Sequence, residues 1–259
     1  MRLGALTLIL FVVSMSVPVE ANSSGPSSER NSKHKHSNPG EVPASPWSDE
    51  EVAAAKAECT ETLHDIRLDF EPLPPIKQGL CGTPAPILVR SVGVDPAVEI
   101  DPPATVSCDL AKALSDWIER IQPEAEDLLG SPVVQLRASS YACRNVYNRA
   151  NSRLSQHALA NALDLAGFVL ASGERITVMG DWKDKTARSG ADGRSPILLA
   201  NASVSFQSLL TSQLKSEFVQ AAHENACRVF GTVLGPRANK AHRDHFHLDM
   251  RERQDSLCH

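Results

Sequence analysis

Two short segments, roughly eighty residues apart, constrain the fold of this chain more than any other feature. The first pairs His157 with Asp164 in a run of small and apolar residues, and the second, His242–Asp249, holds three of the nine histidines. Two imidazoles and a carboxylate with one position left for water are typical of a catalytic zinc site, whereas structural zinc prefers closed, thiolate-rich sets. We therefore expect a fold that brings the two segments together around a metal ion.

The local geometry of each segment follows from residue spacing. Alternation along an extended His245–His247 segment places its two imidazoles on one face and Phe246 on the other. In a straight helix His157 and Asp164 would lie roughly 10 Å apart, whereas two ligands of one zinc, each about 2 Å from the ion, lie only a few Å apart. Because residues 163–170 have the apolar run of a buried strand, we predict that His157 lies in a turn or short helix leading into it.

The amino-terminal residues predict export. An apolar run over residues 3–17, followed by small residues that suit signal peptidase, indicates a cleaved signal peptide at residues 1–21. This run is too short for a stable membrane span, so we expect none after processing. Residues 22–48 are rich in Ser, Pro, Asn and Lys and are expected to be a disordered linker, which leaves residues 49–259 as the folded domain.

The cysteines support the same compartment. All six lie beyond the leader, and an even count in an exported chain predicts three disulfides that pin the ends of the chain to the core. We pair Cys59 with Cys81 and leave the other pairings open. None of the cysteines forms a CxxC motif, which disfavours thiolate zinc binding and thioredoxin-like redox chemistry.

The charge of the chain bears on its partners. The formal net charge is −5, and the sequence has no basic stripe of the kind that neutralises phosphates. A nucleic-acid partner is therefore disfavoured, and neutral or zwitterionic partners are expected.

Helix and strand patterns indicate the fold class. Ser48–Glu51 is a capping box that opens a first helix, a second helix is predicted from Ser107, and Ser203–Arg228 has the longest helical pattern, with Leu209 and Leu210 on its buried side. Short apolar runs between these helices predict strands. We expect an α+β fold, stapled by disulfides, in which a small antiparallel sheet carries the zinc site and helices pack on its other face.

The motifs resemble known families. The pattern S-x-H-x6-D followed by a terminal H-x-H resembles the zinc peptidase superfamily of D-Ala-D-Ala metallopeptidases, lysostaphin-type and penicillin-insensitive murein endopeptidases, and the hedgehog signalling domain. Over about Cys59 to Cys258, the segments SSYACR, RLSQHALANALDLAGF, ACRVFGTVLGP and HRDHFHLDM are similar to the bacterial extensin-like C-terminal domain family. The resemblance implies that His157, Asp164 and His247 ligate Zn²⁺ and that Arg144 helps to hold a substrate carboxylate. The alternative for Arg144 is a solvated arginine in a loop.

The resemblance offers two templates for the general base. D-Ala-D-Ala peptidases have an acidic residue three before the last ligand, which is Asp244 here, whereas penicillin-insensitive murein endopeptidases have H-x-x-H-x-H, matched by His242, His245 and His247. We expect Asp244 to be the base and His245 to stabilise the transition state, with His242 orienting one of them. Ser155 is expected to brace the turn of the first segment and to contact substrate.

Together these expectations imply zinc-dependent hydrolysis of amide bonds in peptidoglycan stem peptides or crosslinks, by a murein endopeptidase or carboxypeptidase that is periplasmic or secreted. Peptidoglycan is then the expected partner. Two alternatives remain: a non-catalytic, zinc-containing cell-wall binding module, and a structural wall-associated protein. Asp249, two residues beyond His247, is expected to be structural.

Overall fold

The computed structural model describes residues 46–183 and 202–259. Within these ranges the helices are α1 (Asp49–Thr62), α2 (Cys108–Leu129), α3 (Val178–Asp181) and α4 (Ala202–Ala226). The strands are β1 (Leu68–Pro72), β2 (Ile76–Gln78), β3 (Cys81–Thr83), β4 (Ile87–Val92), β5 (Val98–Val106), β6 (Val133–Ser139), β7 (Ala162–Leu170), β8 (Arg175–Thr177), β9 (Thr232–Leu234), β10 (Phe246–Asp249) and β11 (Leu257–Cys258).

Among the described residues, nine of these strands form one sheet in the order β1-β4-β5-β6-β7-β10-β9-β11, with β8 also paired to β7. The strands β2 and β3 form a separate hairpin. The predicted α+β class is confirmed, but the prediction of a small antiparallel sheet is wrong. The sheet is large because strands from both sides of α2 join it. It is mixed because α2 is a crossover that makes β5 and β6 parallel, and because β11 pairs in parallel with β9.

The core lies between the sheet and the two long helices. In α2 the side chain of Ser107 caps the helix, as predicted, and the buried stripe includes Trp117. The Trp117 indole donates a hydrogen bond to the Ala222 carbonyl of α4 at 2.9 Å, and its ring centroid lies 6.0 Å from that of Phe168 in β7. One aromatic side chain therefore joins both helices to the central strand of the sheet.

All six cysteines lie in the described residues and form three disulfides, as predicted in number. The predicted Cys59–Cys81 pairing is wrong. Helix α1 packs against α2 and brings Cys59 to the first residue of α2, whereas Cys81 reaches the loop that follows β6. The observed pairs are Cys59–Cys108, Cys81–Cys143 and Cys227–Cys258.

The first described helix, α1, begins at the predicted capping box. Ser48 makes both hydrogen bonds of the capping box with Glu51, as predicted. The predicted signal peptide, residues 1–21, lies outside the described residues, as does nearly all of the linker at 22–48. No helix in the described ranges combines the length and the apolar character needed to cross a membrane.

The expectation that Leu209 and Leu210 face the core is wrong. Their exposed fractions are 68% and 46%. Among the α4 side chains that the structure describes, from residue 207 onward, the buried ones begin at Ser216, in the part of the helix that packs against the core.

Two leucine truncations test this division between core and surface. We expect Leu114→Ala, in the fully buried stripe of α2, to lower the free energy of unfolding by about 2–5 kcal/mol through lost burial and the cavity left behind. The matched change Leu209→Ala, on the exposed side of α4, is expected to stay within about 0.5 kcal/mol. Chemical denaturation of both variants measures the difference, and equal losses would contradict this placement of the core.

Candidate metal centre

Strand pairing places Asp164 and His247 side by side. The strands β7 and β10 are antiparallel, and in their register Asp164 lies directly opposite His247. Their sequence neighbours Leu163, Leu165 and Phe246 are fully buried in the core. Because side chains alternate across a sheet, Asp164 and His247 both project from the face opposite the helices.

His157 reaches the same place from a turn, as predicted. It lies in a single 3-10 turn, Gln156–Leu159, capped by the Ser155 hydroxyl, which accepts a hydrogen bond from the His157 backbone N–H at 3.3 Å. Ala160, with φ of 55°, ends the turn in the left-handed conformation and reverses the chain into β7. The predicted bracing role of Ser155 is confirmed. Its predicted contact with substrate stays a prediction, and its side chain is buried at the rim of a cleft.

Three potential ligand atoms converge. His157 Nε2 lies 3.0 Å from Asp164 Oδ1, His247 Nδ1 lies 2.8 Å from the same oxygen, and the two nitrogens are 3.2 Å apart. A tetrahedral zinc ion with bonds of about 2.0–2.1 Å has ligand atoms about 3.3 Å apart. The three residues predicted as ligands are thus close enough to hold one ion from one side.

The remaining ring nitrogens are also fixed. His157 Nδ1 lies 2.6 Å from the Ser140 carbonyl oxygen, and His247 Nε2 lies 3.1 Å from Asp249 Oδ2. Because a carbonyl and a carboxylate only accept hydrogen bonds, these nitrogens carry the protons. In the neutral form that can ligate a metal, His157 Nε2 and His247 Nδ1 then carry lone pairs on the side of Asp164, whereas in the protonated ring of His247 the Nδ1–H donates to Asp164. Such outer partners are the usual support of metal-ligating histidines.

Asp249 was expected to be structural, and in the structure it supports the ring of His247. Its buried carboxylate holds the ring of His247 and also accepts a hydrogen bond from the Arg251 backbone N–H at 3.0 Å. The sequence indicated this contact between Asp249 and His247, since residues two apart on a strand share a face. The Ser140 contact had no comparable signal, because it involves a backbone carbonyl.

The electrostatics of the centre favour a positive charge between these atoms. Burial alone would raise the pKa of Asp164, but hydrogen bonds from His157 and His247 outweigh it and hold that pKa well below its usual value. Burial opposes protonation of His247, yet its hydrogen bonds to Asp164 and Asp249 raise its pKa to about 9. Three acceptors at this distance repel one another unless a proton or a cation lies among them.

His245 borders the centre, with Asp244 behind it. His245 Nε2 lies 3.6 Å from Asp164 Oδ1, and its Nδ1 lies 2.9 Å from Asp244 Oδ1. The Asp244 side chain is about half exposed, and the hydrogen bond to His245 holds its pKa below the ordinary value. The imidazole thus lies between the Asp244 carboxylate and the three ligand atoms.

His242 completes the histidine cluster without a hydrogen bond to it. Its ring centroid is 5.3 Å from that of His245 and 5.8 Å from that of His247, while its Nδ1 lies 3.1 Å from Asn239 Oδ1. Burial, then the neighbouring His247 and His245, lower its pKa to about 4. At neutral pH His242 is an uncharged packing partner of both rings.

Two clefts meet at this centre. The arginine cleft, of about 220 Å³, is lined by the three candidate ligands and by Arg144, Arg153, Arg251 and Arg253. The acidic cleft, of about 480 Å³, shares Asp164 and His245 with it and is also lined by Asp101, Arg137 and Asp244.

Arg144, predicted to hold a substrate carboxylate, is in place beside the ligands. Its Nη2 lies 3.7 Å from Asp164 Oδ2. The other arginines were not predicted, although His247, Asp249, Arg251 and Arg253 recur at every second position and so continue one alternating pattern.

A second cluster of ligand types, His223 with Cys227 and Cys258, is not a comparable site. Its two sulfurs are joined in a disulfide and so are not thiolates. His223 is buried, and its Nε2 lies 3.2 Å from the carbonyl oxygen of His259, which fastens the end of the chain.

Metal binding is expected to displace the proton of His247. Because the pKa of His247 is raised to about 9, its ring is protonated at pH 7 in the metal-free protein, and zinc binding should release about one proton. Calorimetry in buffers of different ionisation enthalpy measures this number. Asp249→Asn removes one support of the imidazolium, so it should reduce proton release and weaken zinc binding by about 10–100-fold. Release that is zero, or unchanged in the variant, would contradict this assignment.

Comparison with known proteins gives one family match, and it covers the residues of this centre. No curated protein and no solved structure matches this chain. The family described as extensin-like protein C-terminus matches residues 57–195 and 192–259, which include all three candidate ligands, the arginine cleft and the acidic cleft. The chain belongs to the extensin-like C-terminal family.

Proposed function

We propose that this protein hydrolyses amide bonds in peptidoglycan stem peptides or crosslinks with the help of a zinc ion. The observation that supports this most directly is the convergence of His157, Asp164 and His247, each ring held by an outer acceptor at its remote nitrogen. The resemblance of S-x-H-x6-D and the terminal H-x-H to the zinc peptidase superfamily suggests the reaction class and the substrate.

The donor set suits zinc. Two imidazole nitrogens and one carboxylate oxygen match the ligands of catalytic zinc sites, and they leave further positions free for water and substrate. A zinc ion bound there supplies a Lewis acid that polarises a carbonyl and lowers the pKa of a water molecule. We propose a periplasmic or secreted location, with which the three disulfides are compatible.

His245 is the residue that we propose for proton transfer. Its Nε2 faces the ligand atoms, where it can take a proton from the attacking water and give it to the leaving amine. Asp244 then acts through His245, because its carboxylate bonds the far nitrogen of that ring. This reverses the preference for Asp244 as the base that the sequence suggested.

Arg144 is suited to hold a carboxylate of the substrate beside the ligands. Its side chain is one third exposed and its contact with Asp164 is long, at 3.7 Å, so guanidinium N–H groups remain for a two-pronged hydrogen bond. A substrate held there lies at the edge of the candidate metal centre.

Removal of a ligand tests the proposed chemistry. We expect Asp164→Ala and His247→Ala to abolish cleavage of purified muropeptides and to lose stoichiometric zinc, while all three disulfides still form. Mass analysis of digested muropeptides and metal analysis of the protein provide the readouts, with the exposed Asp127→Ala of α2 as a control that should keep both. Zinc uptake by the wild type without any cleavage would instead favour a non-catalytic wall-binding module.

A double-mutant cycle separates the roles of His245 and Asp244. We expect His245→Ala to lower kcat by about 10²–10⁴-fold, the range for loss of a general acid–base group. Asp244→Asn should cost about tenfold, because it leaves the imidazole in place but less well oriented. If Asp244 acts only through His245, adding Asp244→Asn to His245→Ala should cost nothing further. Independent losses that multiply would instead return Asp244 to the role of base.

A further inference from the structure

The arginine cleft is lined by more arginines than carboxylates. Arg153, Arg251 and Arg253 line the same cleft as the candidate ligands. In the part of the chain that the structure describes, none of these three guanidinium groups forms a salt bridge with a carboxylate. The nearby carboxylate of Asp249 is engaged by the ring of His247 and by a backbone N–H instead.

The three arginines are held near one another. Arg253 Nε donates a hydrogen bond to Thr232 Oγ1 of β9 at 3.1 Å, and both residues line the cleft. Arg251 is partly buried, and burial and then the charge of Arg153 lower its pKa. The Asp249 carboxylate opposes this shift, and the charge of Arg253 adds to it, so the pKa remains below its usual value. Arginine nevertheless stays charged near neutral pH. The charges of Arg153 and Arg253 repel that of Arg251, and an anion bound among the three would reduce this repulsion.

We propose that Arg153, Arg251 and Arg253 form a subsite for carboxylates of the substrate, next to the candidate metal centre and additional to Arg144. The protein would therefore prefer stem peptides that carry at least two free carboxylates on one side of the scissile bond over peptides in which these groups are amidated. This inference rests on the proposed function, since it names the substrate class of the same site. A guanidinium suits the role because its planar fork binds a carboxylate through two hydrogen bonds.

The acidic cleft determines the orientation in which a peptide would bind. On the far side of Asp164 and His245, the acidic cleft presents Asp101 and Asp244 against the single arginine Arg137. An anionic group is repelled there and attracted in the arginine cleft. A peptide that crosses the centre is thus oriented with its carboxylate-rich part against Arg153, Arg251 and Arg253.

Equilibrium binding tests the subsite without relying on turnover. The probes are a synthetic stem tetrapeptide with all carboxylates free and the same peptide with its side carboxylates amidated, titrated calorimetrically into zinc-loaded full chain carrying His245→Ala. We expect the free peptide to bind about tenfold more tightly, and the preference to fall as salt screens the charges. Equal dissociation constants for the two peptides would overturn the proposal.

Variants assign the preference to the named arginines. Arg153→Gln, Arg251→Gln and Arg253→Gln should each remove much of the preference for the free peptide, whereas Arg120→Gln, an exposed arginine of α2, should retain it. Arg153 and Arg253 are exposed, so their variants keep the test valid if the Arg251 change impairs folding. Full retention of the preference in these two variants, or complete displacement of the peptide by equimolar inorganic phosphate, would overturn a carboxylate subsite.

The two proposals fail in distinguishable ways. Absence of muropeptide cleavage by the wild type, together with a clear preference for free carboxylates, would refute hydrolysis and leave the subsite. Efficient cleavage of free and amidated peptides at equal kcat/KM would refute the subsite and leave hydrolysis.

Discussion

The close approach of two imidazole nitrogens and one carboxylate oxygen is the constraint on which the centre depends. His157 Nε2, His247 Nδ1 and Asp164 Oδ1 lie within 3.2 Å of one another because outer partners turn both rings inward. Such an arrangement is costly to a folded chain unless positive charge occupies the space between the atoms. The surrounding sheet and turn impose this geometry, and either the proton of His247 or a bound metal ion can supply the positive charge that it requires.

The rest of the fold supplies the rigidity that this arrangement needs. β7 lies between β6 and β10, and its core side is held by Phe168 under Trp117 of α2. The turn that carries His157 is joined to the start of α2, since the Ser107 backbone N–H bonds the Ala160 carbonyl at 2.6 Å. Helix, turn and strand therefore fix the first two ligands together, and β10 adds the third by strand pairing.

The family resemblance named the candidate residues of the site, local spacing predicted how each segment bends, and long-range pairing decided what neither could predict. The bend between His157 and Asp164 followed from the short distance between ligands of one ion, and Asp249 was within reach of the same alternation rule. The size of the sheet could not be predicted from spacing. β4 and β5 precede α2 in the chain, and only the crossover through α2 places β5 beside β6. Likewise, the partners of Cys59 and Cys81 depend on how α1 and the loop after β6 pack, which no spacing encodes.

The Cys227–Cys258 disulfide makes the carboxyl terminus a part of the cleft wall. It ties β11 to the end of α4, and the Gly235 backbone N–H bonds the His259 carbonyl at 2.7 Å, so Arg251 and Arg253 lie in a segment anchored at both ends. The candidate ligands stand on β7, β10 and the 3-10 turn, none of which is crosslinked by this bond. Reduction of this bond would therefore loosen the cationic wall without breaking a crosslink within the elements that carry the candidate ligands.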